Sequence, residues 1–152
     1  MHAPNPAQRG KTLLIVEDEA LVAMVLRDEL ETAGFDVLDL TDRQQEAVAS
    51  ARESMPDLAL VNIRLAGSDD GIELARQLKT MDIPVLLISG QVSRARSART
   101  VAIGSMPKPY SAVEMVAAVR YLLARLDRER SLVKPPGLEV FDAIADHMAP
   151  AE

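Results

Sequence analysis

Residues 56–65 read PDLALVNIRL, in which a short apolar run ends abruptly at one amide, Asn62. Pro56 opens the run, and an acidic turn that contains two glycines follows it at residues 67–71. A run too short for a helix and bounded by such residues is typical of a strand buried in a parallel sheet. We therefore place Asn62 at the carboxyl end of that strand, where open α/β sheets bind their ligands.

The rest of the chain alternates strand and helix patterns around this run. Apolar strand patterns cover residues 12–16, 35–40, 84–88 and 101–106, and helical spacing covers residues 20–33, 41–54, 71–79, 93–102 and 111–130. This alternation predicts an α/β fold with a doubly wound five-stranded parallel sheet of flavodoxin-like type, in the order 2-1-3-4-5. Thr41 with Gln44 and Ser111 with Glu114 have the spacing of capping boxes that open the second and fifth helices.

Composition limits the classes of function. The 152 residues contain no cysteine, so the chain has no disulfide, iron–sulfur cluster or thiol nucleophile. A net charge of −6 and an aromatic content of 3% argue against a nucleic-acid-binding module. No apolar run is long enough to span a membrane, and the polar amino terminus lacks a signal-peptide core. We expect a cytoplasmic protein that binds neither nucleic acid nor membrane.

The ends of the chain differ in pattern from its middle. We divide the sequence into a flexible tail at residues 1–11, one folded domain at 12–130, and a linker with a C-terminal tail at 131–152. Apolar residues at helical spacing predict a short helix over 138–148, following an extended fifth helix. Because that helix would carry five apolar side chains on one face, we favour docking on its own domain or dimerisation over folding only on a partner. The arginines at 94, 96 and 99 are expected to form a solvated face of the fourth helix.

Polar residues follow four of the predicted strands and converge on one crevice. They are Glu17 and Asp18 after the first strand, Asn62 after the third, Ser89 after the fourth and Lys108 after the fifth. A pair of carboxylates suits Mg²⁺, which prefers oxygen ligands, and a lysine with a hydroxyl suits the oxygens of a phosphoryl group. A carboxylate at position 62 would be the nucleophile that forms an acyl phosphate, but this chain has an amide there.

These motifs resemble those of the receiver domains of two-component response regulators. The matching pieces are LLIVEDE, PDLALVNIRLAGSDDGIEL, PVLLISG and KPY, in the same order and spacing. The resemblance implies a Mg²⁺ site made by Glu17, Asp18, position 62 and the backbone carbonyl of Arg64. It also implies that Ser89 and Lys108 contact the phosphoryl group, and that the peptide bond after Lys108 is cis.

The resemblance further implies the partners of such a protein. They are a sensor histidine kinase or a phosphotransfer protein, together with a second copy or another protein at the face formed by the fourth helix, fifth strand and fifth helix. The protein is then a phosphorelay signalling component rather than an enzyme. Since few residues follow position 130, we expect a stand-alone receiver without an output domain, or an isolated fragment of a longer protein.

Two positions depart from the family pattern. Asn62 stands where the family has its phosphoacceptor aspartate; an amide is a poor nucleophile, and the loss of one negative charge weakens the Mg²⁺ site. The chain as written is therefore expected not to accept a phosphoryl group at position 62. Ser105 stands where many receivers have an aromatic switch residue.

Asn62 leaves alternatives open. Either the protein is naturally independent of phosphorylation, or an aspartate has been replaced or recently lost while the other pocket residues remain. The function is then either that of a phosphoryl-exchanging receiver silenced at Asn62 or that of a pseudo-receiver that acts by binding proteins. A small-molecule enzyme on the same fold is the weakest candidate, because no glycine-rich phosphate loop follows the first strand.

Overall fold

The computed structural model describes residues 10–150. The strands are β1 (Thr12–Val16), β2 (Asp36–Val37), β3 (Leu58–Asn62), β4 (Val85–Ser89), β5 (Gly104–Pro107) and β6 (Glu139–Val140). The α-helices are α1 (Ala20–Thr32), α2 (Gln44–Ser54), α3 (Gly71–Thr80), α4 (Val92–Arg96) and α5 (Ala112–Leu126), and a 3₁₀ helix covers Asp142–His147. Most of the tail predicted at residues 1–11 lies outside the described residues.

The six strands form one sheet in the order β2-β1-β3-β4-β5-β6. The first five strands are parallel, which confirms the predicted order, whereas β6 pairs antiparallel with β5. All five residues of β3 are buried, and β3 pairs with β1 on one side and with β4 on the other. Such a strand is apolar throughout because helices cover both of its faces.

Each face of the sheet has its own apolar core. Side chains of α1 and α5 pack on one face, and those of α2, α3 and α4 pack on the other. Strand residues alternate between the two cores; Leu13 and Ile15 belong to the first, and Leu14 and Val16 to the second. None of the helices within residues 10–150 is long and apolar enough to cross a membrane.

The two predicted capping boxes had different outcomes. The box at Ser111 is confirmed, because its hydroxyl accepts a hydrogen bond from the Glu114 N–H while Glu114 accepts one from the Ser111 N–H. The prediction of a capping box at Thr41 is wrong. Thr41 forms a parallel bridge with Val16, and α2 begins only at Gln44, with Arg43 as its N-cap residue. The free N–H of Gln44 donates to a carboxylate of a distant loop instead.

The fourth helix is shorter than predicted, and its arginines are not simply solvated. The Arg94 guanidinium lies 3.1 Å from Asp70, at the start of α3. Arg96 donates from Nε to both carboxylate oxygens of Glu139, at 2.9 and 3.0 Å. Both side chains are nonetheless 41% and 60% exposed, so the predicted solvated face is present and also forms ion pairs.

The helix predicted over residues 138–148 is also wrong. Residues 139–140 form β6, and the 3₁₀ helix follows it. The reason is tertiary: Leu138 and Ile144 join the core beside α5, whereas Phe141 joins the core on the opposite face. An extended backbone can reach both faces and pair with the open edge of β5, which a helix cannot do. The tail does dock on its own domain.

His147 lies in a buried site at the amino-terminal edge of the sheet. Its side chain is 3% exposed, its Nδ1 lies 3.5 Å from Asp82, and neither ring nitrogen has a hydrogen-bond partner within the described residues. Burial lowers the pKa of His147 below its ordinary range, and the nearby Lys79 lowers it further, while Asp82 and Asp146 raise it. The docked tail therefore favours the neutral imidazole.

Further charged groups line the cavity beside His147. This cavity, of about 320 Å³, is also bordered by Lys11, Asp57, Asp82 and Asp127. Lys11 is paired with Asp127, and Asp57 accepts a hydrogen bond from the Thr12 N–H. Asp82 is thus the acid closest to the imidazole, and its side chain is largely exposed.

Acidification should weaken the folded protein through His147. Because the folded-state pKa is lower than the unfolded one, the stabilising effect of the neutral ring is complete above the unfolded pKa of about 6.5 and is lost as the pH falls from there through the lower folded-state pKa. We expect urea denaturation to show a larger loss of unfolding free energy between about pH 7.5 and pH 5.5 for the native chain than for His147→Gln. Equal losses in the two proteins would contradict this assignment.

Candidate functional site

An acidic corner follows β1. Glu17, Asp18 and Glu19 each place a carboxylate oxygen within 4.8 Å of the others. Glu17 is buried and the other two are exposed, and the Glu17 N–H continues the sheet by donating to the Thr41 carbonyl. The corner therefore combines one buried carboxylate with two that solvent reaches.

Lys108 lies opposite this corner, at the end of β5. Its Nζ is 3.5 Å from Glu17 Oε1, an oxygen that accepts no hydrogen bond from the described residues. Burial raises the pKa of Glu17 above its ordinary range, and the Lys108 charge opposes that effect. The Lys108 N–H donates to the Ser89 carbonyl, and the bond to Pro109 is cis, as the resemblance implied. Lys108 is thus the counterion of the most buried carboxylate.

Asn62 is buried at the end of β3 and satisfied by two neighbours. Its Nδ2 donates to Asp18 Oδ1 at 3.1 Å and to the Arg64 backbone carbonyl at 2.5 Å. A carboxylate in this position has no hydrogen to donate and would repel Asp18. The amide therefore joins the acidic corner to the loop after β3 through hydrogen bonds.

A glycine lets α3 begin directly beside Asn62. Gly71 is the first residue of α3, and its N–H donates to the Ile63 carbonyl at 2.8 Å. A Cβ at this position would overlap the Asn62 carbonyl and lie 2.8 Å from the Ile63 Cα. Glycine is thus required for close approach of the helix to the strand end, and it fixes the loop that carries Arg64.

Ser89 closes the other side of the cleft. Its hydroxyl accepts a hydrogen bond from the Gln91 N–H at 2.9 Å and donates to the Gln91 carbonyl at 3.3 Å. The cleft has a volume of about 430 Å³ and is lined by Asp18, Asn62, Arg64, Ser89 and Lys108, among others. The structure therefore brings these predicted site residues together, with Glu17 behind Lys108.

The cleft suits a divalent cation only in part. The carboxylates of Asp18 and Glu19 and the carbonyl of Arg64 are oxygen donors of the kind that Mg²⁺ prefers. Asn62, however, directs its two N–H groups at Asp18 and at the Arg64 carbonyl. For Mg²⁺ to use these oxygens, the amide has to turn and give up both hydrogen bonds. We therefore expect the residues to hold Mg²⁺ weakly.

An apolar groove lies beside the cleft, and it was not predicted from the sequence. It has a volume of about 600 Å³ and lies between α1 and the start of α5, with Leu21, Val25, Lys108 and Tyr110 in its lining. Leu21 is 77% exposed and Val25 is 59% exposed. Burial raises the pKa of Tyr110 to about 12, so its hydroxyl stays protonated. Leu21 and Val25 are one helical turn apart, and this spacing could have predicted an apolar patch on α1.

Comparison with protein families gives a clear match. The response regulator receiver domain family matches residues 13–120. The chain is 37% identical over 123 residues to the phosphate regulon transcriptional regulatory protein PhoB of Pseudomonas aeruginosa, a match that covers 76% of this chain and 53% of that protein. It is 30% identical over 121 residues to the transcriptional regulatory protein PdtaR of Mycobacterium tuberculosis, covering 76% and 58%. The chain thus spans about half the length of the curated relatives it matches.

Solved structures give the same match. A signal receiver domain of a modulated diguanylate cyclase from Desulfovibrio desulfuricans is 37% identical, with a TM-score of 0.67, over 75% of this chain and 94% of that one. A putative response regulator from Chloroflexus aurantiacus is 29% identical, with a TM-score of 0.69, over 77% of this chain and 100% of that one. In both comparisons about three quarters of this chain is covered.

The hydrogen bonds of Asn62 predict a weak response to magnesium. We expect thermal unfolding of the native chain to shift little on addition of MgCl₂, whereas Asn62→Asp should start less stable and gain stability as Mg²⁺ binds, because ligands stabilise the state that binds them. The control is Asn62→Asp combined with Asp18→Asn, which removes a metal ligand and should abolish the gain. An equal shift in the native chain and in Asn62→Asp would contradict the prediction.

Proposed function

We propose that this chain, which belongs to the response regulator receiver domain family, works in two-component signalling by binding protein partners without accepting a phosphoryl group at position 62. The observation that carries the proposal is the amide of Asn62, which donates to both Asp18 and the Arg64 carbonyl. These two bonds hold the strand end and the loop after it together in the absence of phosphate or metal. The receiver is then fixed in one arrangement of its cleft.

The chemistry of the amide argues against phosphoryl transfer to position 62. Phosphoryl transfer in a receiver needs a carboxylate oxygen to attack phosphorus while the donor's leaving group departs. The carbonyl oxygen of Asn62 is a poorer nucleophile, and its nitrogen lone pair is delocalised into the carbonyl. Mg²⁺, when bound, would offset charge on the phosphoryl oxygens, and its ligands here carry one negative charge fewer than a site with an aspartate at position 62.

The rest of the cleft supports partner recognition. Lys108 and Ser89 line the cleft together with Asn62, and the apolar groove of α1 adjoins the cleft through Lys108 and Glu19. A sensor histidine kinase or phosphotransfer protein that approaches position 62 would have to contact this rim. We propose that the exposed Leu21 and Val25 contribute to that contact, in the cytoplasm, where such partners act.

A second candidate is a latent phosphoryl acceptor. Asp18, Ser89 and Lys108 line the cleft with position 62, and Glu17 pairs with Lys108, so Asn62 is the one departure among these residues. On this alternative, an aspartate at position 62 completes a competent site, and the present chain is its silenced form. The two candidates differ in what happens when that carboxylate is introduced.

Intact mass after incubation with a small-molecule phosphodonor tests the proposal. We expect the native chain to gain no phosphoryl group with or without Mg²⁺, because it lacks the nucleophile. Asn62→Asp supplies a carboxylate beside Lys108, so a phosphoryl adduct on this variant, abolished by EDTA, would support the latent acceptor. An inert Asn62→Asp would support a receiver that acts through binding alone.

Two controls make the outcome specific. Asn62→Asp combined with Lys108→Ala should lose the adduct if the lysine contacts phosphoryl oxygens. Asp57→Asn, at the opposite end of β3, changes one carboxyl group away from the cleft and should behave as the native chain does. A phosphoryl adduct on the native chain itself would overturn the proposal.

A further inference from the structure

Residues 138–149, called here the C-terminal segment, lie along the outer edge of β5. Val140 pairs with Gly104 and Glu139 pairs with Ser105 in an antiparallel register. A Cβ at Gly104 would lie 2.6 Å from the Glu139 carbonyl oxygen, so the close approach depends on glycine. The neighbouring Ser105 is likewise small. The edge of β5 is therefore shaped to accept another strand.

Apolar anchors hold the segment on both sides of the sheet. Leu138 and Ile144 are 1% and 4% exposed and pack in the core beside α5, whereas Phe141 is 6% exposed and packs in the opposite core. Between them, the Phe141 N–H donates to the Ile103 carbonyl at 2.8 Å. The segment thus straddles the sheet edge and fills an apolar site on each face.

Charge complementarity adds to this fit. Arg96 of α4 binds Glu139 through two hydrogen bonds, and Lys79 of α3 lies 3.0 Å from Asp146. The receiving surface supplies the cations, and the segment supplies the acids. The edge of β5 with its flanking cations and apolar sites, called here the edge groove, is therefore matched to an extended acidic segment.

The connection to the segment is solvent-exposed except at Pro135. Leu132 and Val133, between α5 and the segment, are 38% and 89% exposed. The ion pairs of Arg96 with Glu139 and of Lys79 with Asp146 are also partly exposed, so each contributes little by itself. Docking of the segment then depends on the apolar anchors, the strand pairing and the hydrogen bonds of Ala149 with Leu126 and Arg128, together with the high local concentration that the tether provides.

We propose that the edge groove is a docking site for an extended acidic segment of a protein partner, and that the chain's own C-terminal segment holds it closed. The partner's segment pairs with β5 as an added strand, places an acid against Arg96 and inserts large apolar side chains on both sides of the sheet. The inference rests on the proposed protein-binding function, but it involves no residue of the cleft. The phosphoryl-transfer experiment can therefore fail without affecting it, and the reverse also holds.

A peptide-binding experiment tests the groove. The probe is a fluorescent peptide with the sequence of residues 136–150, and the proteins are full-length chains. Phe141→Ala with Ile144→Ala, the anchor variant, weakens the chain's own segment and leaves the groove intact. Adding Gly104→Val to it makes the blocked variant, whose groove cannot take a strand. Asp142→Ala changes an exposed residue of the same segment and is the matched control.

The expected pattern distinguishes a groove from a permanent part of the core. A site that is mostly closed has an apparent affinity reduced by its open fraction, so the anchor variant should bind the peptide at least about tenfold more tightly than the native chain. The Asp142→Ala control should match the native chain. The blocked variant should lose the gain, and a peptide that itself carries Phe141→Ala and Ile144→Ala should not bind.

Each other outcome counts against the proposal. A folded anchor variant that does not bind the peptide would overturn it, as would binding that Gly104→Val leaves unchanged. If circular dichroism shows the anchor variant unfolded and the peptide does not refold it, the segment is an inseparable part of the core. If the anchor variant dimerises in sedimentation velocity and the peptide does not dissociate the dimer, the groove binds a second copy of the chain and not an acidic segment.

Discussion

A buried strand has to form its backbone hydrogen bonds inside the protein, and this requirement applies to β3, which like β4 is buried along its whole length. All five of its residues are buried, so its N–H and C=O groups depend on β1 and β4. That central position forces helical crossovers onto both faces of the sheet and brings the strand ends to one edge. The cleft around Asn62 is a consequence of this arrangement.

Within the cleft, Asn62 changes the balance of charge and hydrogen bonding. A carboxylate at the end of β3 would be held near Asp18 at the cost of repulsion, and a cation would relieve that repulsion. The amide removes the repulsion and donates to the same oxygens that a cation would use. The chain thus keeps the shape of a receiver cleft and the ion pair of Glu17 and Lys108. Within this cleft, the hydrogen bonds of the Asn62 amide connect Asp18 to the Arg64 carbonyl.

The same backbone requirement acts at the far edge of the sheet. β5 has only one parallel neighbour, and an open strand edge tends to recruit another strand. The C-terminal segment meets that tendency with two paired residues and apolar anchors on both faces. As a result, the surface at which the family resemblance placed a second partner is already partly occupied by the chain itself.

Local sequence pattern determined the parallel sheet and the cleft. Short apolar runs indicated the five parallel strands, the flavodoxin-like fold type implied their order, and polar residues at strand ends identified Glu17, Asp18, Asn62, Ser89 and Lys108. Ser111 and Glu114 predicted their capping box because both partners lie in one helical turn. Each of these features depends on residues that are near in sequence or on a rule that holds for every parallel sheet.

Tertiary structure decided what depends on distant contacts. Leu138, Phe141 and Ile144 have helical spacing, but the open edge of β5 and the two cores draw them into an extended conformation. Thr41 pairs with β1 instead of capping α2, and Val25 faces solvent. The family resemblance grouped position 62 with Asp18 and the Arg64 carbonyl, but the hydrogen bonds that the Asn62 amide donates to both of them were not predicted, because they depend on how the folded sheet positions two different loops.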